Sequence, residues 1–424
     1  TPADFAAGQT NLSNRRSGVD LLPAQTRQTA YVSARQDLAS WLEVSADLRW
    51  SERDYRYESL SAGGLYTVNR ANPFFVSPNG STSHLIAYDF ARDMGNTRRE
   101  GNSRSLGATA GLDADLPGGW TLEAYGAWAE ERSTGGQFGH VNTTFLNEAL
   151  GTTADNPATA FSAPRDGYLN LFGSGDANTA AVLAFISQGF DQDWNTSRVT
   201  TGNALVSGTV VQLPGGPLKL AAGVHYRHES FQRESISFRS GLTPVLNVGA
   251  PQDREIVAGF LELRAPIVGD DNPLPGVRRL ELSLAGRIED YSDFGSTTNP
   301  KLGLLWAPVE GLRTRASWGT SFRAPSLTEL YERVQIGAAP LASPTGSQLA
   351  ILHLGGNESL RPEEADTLSV GFDVGDREGL RFSATYSDTR FEDRIGRPAS
   401  TNLTTVLSNP SLAPFVTYVN PAVP

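Results

Sequence analysis

Two alternating segments within 299–323, separated by a short break, constrain the fold more than any other part of the chain. Side chains two positions apart on a β-strand point to the same face. The first arm places Leu302, Leu304 and Trp306 on one face and Lys301 and Gly303 on the other. The second arm has an apolar face of Leu312, Thr314, Ala316, Trp318 and Phe322, and a polar face of Arg313, Arg315, Ser317, Ser321 and Arg323. The pattern predicts a hairpin with lipid on one side and water on the other.

Similar alternation recurs along the chain and predicts about twelve antiparallel strands. The predicted connections are short turns and long loops, the long ones at 58–97, 133–197, 324–365 and 391–424, with a further loop at 1–26. A short helix is expected at 180–186. Outer-membrane barrels have short periplasmic turns and longer extracellular loops. Residues 1–424 are therefore predicted to be a single all-β domain, part of an antiparallel transmembrane β-barrel.

The spacing of the tryptophans separates this barrel from the alternative, an edge hairpin of a soluble sandwich. Trp120 and Trp306 lie beside predicted short turns, whereas Trp50 and Trp128 lie about eight residues farther along their strands. Eight residues on a tilted strand climb about 20 Å, close to the height of the apolar band between the two aromatic girdles of a membrane barrel. A lipid-facing girdle is predicted, composed of Trp50, Trp120, Trp128, Trp306 and Trp318.

Composition narrows the classes of protein further. The formal net charge of -11 and the pI near 5.1 disfavour nucleic acid or an anionic lipid surface as the main partner. There is no cysteine, so no disulfide or thiolate metal site is expected. The mean hydropathy of -0.29 is compatible with a barrel, because every second residue of a transmembrane strand faces the polar lumen. The chain starts at Thr1 and its single methionine is Met94, which indicates a segment of a longer precursor.

Several motifs resemble those of the TonB-dependent receptors, gated transporters of Gram-negative outer membranes. They lie at 223–227, 287–295 and 299–327, and in the segment G-N-E-S-L-R-P-E at 356–363. Ser321 and Glu358 stand where the family usually has Gly and Pro. The resemblance implies a barrel of 22 strands, the size that encloses a plug. The plug, the TonB-contacting segment and the C-terminal strands are expected outside this sequence, which would leave two open sheet edges.

The sequence offers no catalytic constellation and no motif of a nucleotide, metal or hydrolase site, so we expect neither an enzyme nor a bound cofactor or metal. Predicted ligand contacts are the loop and rim residues His140, Trp194, Arg323, Tyr331 and Arg333. The inward charges Arg227, Arg313 and Arg315 have two interpretations. They attract an anionic ligand or grip the plug, or they pair across strands with Glu229, Glu281 or Glu289, which is the interpretation we favour.

These features together predict an energy-coupled transporter in the outer membrane of a Gram-negative bacterium. Its expected partners are the lipid bilayer, the TonB complex through the missing N-terminal region, and a small-molecule ligand on the extracellular side, with no nucleic acid. A ferric siderophore, cobalamin or an oligosaccharide all fit the resemblance. Two other classes stay open, namely a passive porin and a surface adhesin or phage receptor.

Overall fold

A computed structural model describes residues 4–6, 8, 14–173, 176–375 and 379–418. The main feature is an antiparallel sheet whose twelve principal strands pair in chain order, here called the wall. Its strands are β1 (Ala24–Ala39), β2 (Leu42–Ser61), β5 (Asn96–Leu116), β6 (Trp120–His140), β7 (Gly189–Leu213), β8 (Gly216–Ser237), β10 (Gln252–Val268), β11 (Arg279–Tyr291), β12 (Gly295–Val309), β13 (Leu312–Arg323), β16 (Glu363–Val374) and β17 (Phe382–Glu392). The prediction of about twelve antiparallel strands is confirmed.

The other elements lie in the connections between wall strands. Two hairpins form separate two-stranded sheets, β3 (Gly63–Asn69) with β4 (Ser83–Asp89) and β14 (Gln335–Ser343) with β15 (Gly346–Leu354), while β9 (Val245–Val248) extends β8. The helices are α1 (Ala91–Met94), α2 (Thr143–Ala149), α3 (Ala163–Asp166), α4 (Ala180–Ile186), α5 (Leu327–Tyr331) and α6 (Pro398–Thr401), with a 3-10 helix at Pro410–Phe415. The short helix expected at 180–186 is α4. None of the helices in these described ranges combines the length and hydropathy needed to cross a bilayer.

The two faces of the wall differ in polarity as the alternation predicts. On the face that we call outer, Leu302, Leu304 and Trp306 are 40–47% exposed. On the opposite, inner face, the charged residues Arg254 and Glu281 are at most 9% exposed. Exposed apolar and buried charged side chains invert the arrangement of a soluble protein and match a wall between lipid and a polar interior. In the part of the chain that is described, the wall has two free edges, β1 and β17, and does not close into a barrel.

The central hairpin is confirmed with a tighter turn than predicted. Val309 pairs with Leu312 across a two-residue turn, and Gly311 has a φ of +76° that favours glycine. A register shift lies between Trp306 and Val309. Because of this bulge, Trp306 lies opposite Thr314, so the apolar positions of both arms share the outer face. The shift also explains why alternation is interrupted before the turn.

Wall strands in the first half of the chain extend beyond the predicted loop boundaries. The 133–197 connection shortens to 141–188 and the 58–97 connection to 62–95, because β2, β5, β6 and β7 contain 20 to 25 residues. A transmembrane strand needs about 9–11 residues. The extra residues project above the membrane, where water contacts both faces and the apolar alternation that marks a strand disappears. The predicted loop at 1–26 likewise ends at β1, which begins at Ala24.

The shortened loops fold into a compact unit that we call the cap, formed by residues 62–95, 141–173, 176–188 and 238–241. Its core buries apolar side chains from β3, three helices and the loops between them, including Phe90, Phe145, Leu150, Leu169 and Ile186, and β4 packs partly buried side chains against it. Phe185 stacks between Phe145 and Phe161, at ring distances of 4.5 and 4.1 Å. The buried amide of Asn72 donates to two cap carbonyls. These loops therefore have an ordinary hydrophobic core of their own.

Candidate functional site

The inner face carries a charged network centred on Arg254, which is 4% exposed. Its guanidinium forms ion pairs with Glu229 at 2.7 Å and Asp293 at 3.2 Å, and donates to the carbonyl of Pro325 at 2.8 Å. It also lies over the ring of Tyr291, 5.4 Å from the centroid. Strands β8 and β10 are thereby joined to the segment that follows β13. Burying an arginine with two carboxylates has a large desolvation cost, which the ion pairs offset only while all partners are in place. The network therefore holds this segment against the inner face.

The three predicted inward arginines lie on the inner face in different surroundings. Arg227 pairs with Glu229 at 2.9 Å, in agreement with one of the partners considered. Arg315 pairs with Asp373 at 3.3 Å. Arg313 lies opposite Asp373 in the strand register and forms no ion pair within the described residues. Their functional role stays a prediction.

The other two carboxylates considered as partners are paired elsewhere. Glu281 contacts Arg264 at 2.6 Å and Arg279 at 3.1 Å. Glu289 pairs with Arg287, two residues away on the same strand. These partners lie on neighbouring positions of one strand or on the adjacent strand β10. Strand register decides such pairing, and the sequence alone does not reveal it.

Segment 324–334, called the inner segment, begins at a second charged cluster. Arg323 forms ion pairs with Glu363 at 2.8 Å and Glu329 at 3.0 Å. Ser326 caps α5 in a capping box with Glu329, which begins the helix immediately after the wall strand. Leu327 and Leu330 of α5 are buried, and the helix contacts β8 and β10. Arg323 was predicted as a ligand contact, but its guanidinium forms ion pairs with two carboxylates of the protein itself.

Tyr331 and Arg333 lie at the end of the inner segment. Tyr331 is half-buried, and burial raises the pKa of its hydroxyl. Between them, Glu332 pairs with Arg233 on β8 at 3.5 Å. The exposed side chain of Arg333 hydrogen-bonds to Asn247 on β9. Three of the five predicted ligand contacts, Arg323 included, are thus brought together around α5.

Two of the motifs recognised in the sequence meet at this place. The amide of Gly356 donates to the carbonyl of Glu332 at 2.7 Å, and that of Asn357 donates to the carbonyl of Glu329 at 2.9 Å. A Cβ at Gly356 would lie 2.4 Å from the carbonyl oxygen of Leu330, so the close approach requires glycine. The motif at 356–363 therefore clamps the end of α5.

The two remaining predicted contacts lie apart from α5. His140 ends β6 beside the cap, well above the membrane band, and is 8% exposed. Burial, followed by the positive charge of Arg239, lowers the pKa of His140 to about 4. Its Nε2 atom has no hydrogen-bond partner among the described residues. Trp194 lies opposite Thr134 and Glu234, and strand alternation puts it on the outer face.

All five girdle tryptophans lie on the outer face by register. Trp128, Trp306 and Trp318 are 37–40% exposed, while Trp50 and Trp120 are partly buried. Trp120 packs over Gly208, where an added Cβ would lie 2.4 Å from the indole ring. The indole nitrogen of Trp306 donates to the carbonyl of Gly276 at 3.0 Å. Trp306 is thus anchored to the neighbouring turn at the short-turn end of the wall.

Sequence reasoning missed Arg254, the centre of the inner network. The only sequence signal was alternation, which places Arg254 on the same face of β10 as the apolar residues Ile256 and Ala258, and the structure shows that all three are buried. In a half-exposed wall, full burial of a charged residue needs cover from another segment. That cover is the inner segment, whose inward fold was not predicted.

The sequence from 44 to 421 matches the profile of a family described as TonB dependent receptor-like, beta-barrel. The chain belongs to the TonB-dependent receptor family. Its members and relatives are outer-membrane receptors and transporters rather than enzymes, and the barrel fold and outer-membrane location follow from this membership. The fold class, family and location predicted from the sequence are confirmed.

Curated relatives match only part of this chain. An iron-regulated outer membrane virulence protein of Vibrio cholerae is 25% identical over 214 residues, which is 50% of this chain and 28% of that protein. The vitamin B12 transporter BtuB of Vibrio cholerae is 27% identical over 122 residues, 29% of this chain and 16% of the transporter. The matches thus span well under half the length of these relatives.

Solved structures similar to this chain cover most of it. The RagAB peptide transporter aligns with 90% of this chain and 42% of its own, with a TM-score of 0.49 and 14% identity. The ferripyoverdine receptor of Pseudomonas aeruginosa aligns with 94% of this chain and 44% of its own, with a TM-score of 0.48 and 13% identity.

Proposed function

We propose that this chain is part of a TonB-dependent transporter that takes up a scarce nutrient across the outer membrane. The observation that carries the proposal is the inner segment, which folds inward from the wall and is held there by Arg254 and Arg323. It lies against the inner face at the long-loop end of β8, β10 and β13 and carries Tyr331 and Arg333. A rigid wall that positions a loop across the opening suits ligand capture.

Within this proposal the predicted contacts take different roles. Tyr331 and Arg333 contact the ligand, because their side chains are not committed to ion pairs within the described residues. Arg323 positions α5 through Glu329 and Glu363. His140 is buried beside the cap and supports it. Trp194 lies on the outer face, away from the solute path.

The curated relatives and the motif resemblance together give three nutrient classes to test, of which the oligosaccharide rests on the resemblance alone. One relative is iron-regulated and another transports vitamin B12, and a ferric siderophore, cobalamin or an oligosaccharide each fit a large gated barrel. We infer that TonB and a plug act through parts of the protein outside residues 1–424. The acidic net charge of this chain is compatible with all three classes.

The test is uptake by cells that express the full-length gene product, with and without TonB. Radiolabelled ferric siderophores, cobalamin and oligosaccharides are supplied separately. We expect accumulation of one class, lost without TonB. Uptake that persists without TonB would reject energy coupling and favour a porin. Normal binding of phage or surfaces with no uptake of any class would favour a receptor or adhesin.

The ligand contacts are tested in the same cells. Tyr331→Ala combined with Arg333→Ala should reduce uptake about thirtyfold, because one aromatic and one charged contact are each worth about 1 kcal/mol. Arg361→Ala is the matched control, since Arg361 is an exposed extracellular arginine paired with Asp393. Equal loss in both variants would show that general surface charge, rather than this position, governs uptake.

A further inference from the structure

A column of arginines runs along the inner face of β1 and β2. Arg27 and Arg35 belong to β1, and Arg49 and Arg53 belong to β2, and we call these four residues the arginine column. Trp50 is next to Arg49 in the sequence and faces outward, so strand alternation turns Arg49 and Arg53 inward. Arg27 lies directly opposite Arg53 and shares its face, and Arg35 follows by alternation. Four arginines at one place need an explanation in a chain whose formal net charge is -11.

The strand register places no carboxylate opposite the upper arginines in the described part of the wall. Arg53 lies between Arg27 on β1 and Ser103 on β5, and the inner positions opposite Arg49 hold a tyrosine and a glycine. Asp47 is the nearest inner carboxylate on β2, and it accepts a hydrogen bond from the hydroxyl of that tyrosine. None of the four arginines forms an ion pair within the described residues. Like charges directly opposite each other destabilise a strand pair, and an anion bound between Arg27 and Arg53 would remove their repulsion.

Tyrosine rings hold two of these arginines without neutralising them. The guanidinium carbon of Arg49 lies 5.9 Å from the centroid of the Tyr31 ring. That of Arg53 lies 5.7 Å from the centroid of the Tyr55 ring, which is itself fixed over Gly101, where an added Cβ would lie 2.7 Å from the tyrosine hydroxyl. A cation–π contact leaves the N–H donors of a guanidinium available. The column therefore differs from the charged network on β8 and β10, whose central arginine is neutralised by two carboxylates.

The column extends from the membrane-spanning part of the wall toward its extracellular end. Trp50 belongs to the upper girdle, and Arg53 lies three residues beyond it toward the long-loop end of β2, about 10 Å along the strand. Arg35 lies eight residues nearer the short turn than Arg27, about 27 Å along β1. A solute that enters from the extracellular side therefore meets Arg27 and Arg53 first. The rest of the column leads toward the periplasmic end.

We propose that the arginine column binds a multiply charged anionic ligand, which makes the transported nutrient an anion and not a neutral oligosaccharide. Guanidinium groups form paired, charge-assisted hydrogen bonds with anionic oxygens, and Arg27 and Arg53 present two such groups from opposite strands. Arg49 provides a third group on the same face. Arg333, proposed above as a ligand contact, carries the same charge. The inference rests on the proposed function, because it takes the inner face as the path of the nutrient.

The test is equilibrium dialysis of the purified full-length gene product in detergent against probes that contain radioactive iron. Two probes are anionic, the ferric complexes of citrate and of a tris-catecholate siderophore, and the third is the uncharged ferric complex of a tris-hydroxamate siderophore. At least one anionic complex should bind about tenfold more tightly than the uncharged one, and added salt should weaken its binding. Arg53→Gln should weaken that binding about tenfold, and the triple variant with Arg27→Gln and Arg49→Gln about a hundredfold.

Arg313→Gln is the matched control, because Arg313 is an inner-face arginine on β13 that likewise forms no ion pair within the described residues. It should leave the affinity for the anionic complex unchanged. An equal loss in Arg313→Gln and Arg53→Gln would overturn the proposal, since the total charge of the interior would then decide the affinity. Equal affinities for the charged and the uncharged complexes would also overturn it.

Urea unfolding in lipid vesicles separates ligand binding from a structural role. If carboxylates of the plug neutralise the column, the triple variant should unfold at a lower urea concentration and bind the anionic complex as tightly as the wild type, which would reject the proposal. If the triple variant does not fold, Arg53→Gln alone provides the test, because Arg53 has no ion pair to lose within the described residues.

Dialysis does not involve TonB, so this inference and the proposed function fail separately. Uptake that persists without TonB would reject energy coupling and leave anion binding intact. TonB-dependent uptake of an oligosaccharide, with neither anionic complex bound, would reject the role of the arginine column alone.

Discussion

The extracellular cap and the wall bury opposite kinds of side chain although one chain forms both. The cap buries phenylalanine, leucine and isoleucine, among them Phe90 and Ile186 with no exposed surface. The wall buries Arg254 and leaves Leu302 47% exposed. The surrounding solvent explains the difference. Water around the cap drives apolar groups inward, whereas lipid around the wall removes that driving force and the polar interior receives the charges.

The tall strands connect these two environments. Strand β6 begins at Trp120 in the girdle and ends at His140 beside the cap. Its lower half alternates between lipid and the interior, and its upper half carries polar residues on both faces. The residue pattern of one strand therefore changes along its length, from apolar and polar alternation beside lipid to polar residues on both faces in water. The following predictions test this contrast, the substitutions in order of decreasing expected effect and then a change of pH.

Arg254→Leu should destabilise the wall by about 4 kcal/mol, because Glu229 and Asp293 would keep buried charges without their partner. The measurement is urea unfolding of the protein in lipid vesicles. Hydrogen exchange in the inner segment should also increase, since Pro325 loses its donor. The control is Arg390→Leu on the exposed outer face. A loss below about 1 kcal/mol would show that the inner network does not hold the wall.

Phe185→Ala should destabilise the cap by about 3 kcal/mol through the cavity left between Phe145 and Phe161. Hydrogen exchange read by mass spectrometry should increase in cap peptides and stay unchanged in wall peptides. Phe74→Ala is the matched control, because Phe74 belongs to the same cap but is 40% exposed. Faster exchange throughout the wall would contradict the independence of the two regions.

Leu302→Arg should cost about 2–3 kcal/mol, because it places a charge in the hydrocarbon. Ser317→Arg is the matched variant, since Ser317 lies on the adjacent strand at the neighbouring level but on the inner face. It should change the free energy of unfolding by less than about 1 kcal/mol. Urea titration in vesicles measures both. Equal costs would mean that the outer face does not contact lipid.

The cap should lose stability on acidification because of His140. Its pKa is lowered to about 4 in the folded cap, whereas the ordinary value is 6.5. Between pH 6.5 and 4 the unfolded state therefore binds the proton more readily, and about 3 kcal/mol of cap stability is lost as the pH falls. Hydrogen exchange of cap peptides at several pH values, corrected for intrinsic rates, measures this. His140→Phe should flatten the profile, whereas His84→Gln should leave it in place.

Much of the wall was predictable from the sequence because the alternation that marks its strands involves only residues close together in the chain. Alternation at 302–306 and 312–318 depends only on which residues face lipid, and a hairpin joins neighbours in the chain. The girdle tryptophans follow from the same pattern. The cap was less predictable, because its core gathers residues from two long loops and from Phe238, which are separated along the chain by about fifty residues each. Only the seven residues of α4 had a pattern that predicted a helix correctly.

The sequence by itself determined the family, the antiparallel strand order and the division into a lipid-facing and a polar face, because each follows from short-range alternation and compact motifs. Tertiary structure alone decided the partners of the charged residues. The sequence predicts Arg323 as a ligand contact, but in the folded chain its guanidinium pairs with Glu329 and Glu363. The burial of Arg254 likewise depends on Pro325, which lies about seventy residues farther along the chain. Ion pairs depend on strand register, bulges and the path of long loops, which are long-range properties of the folded chain.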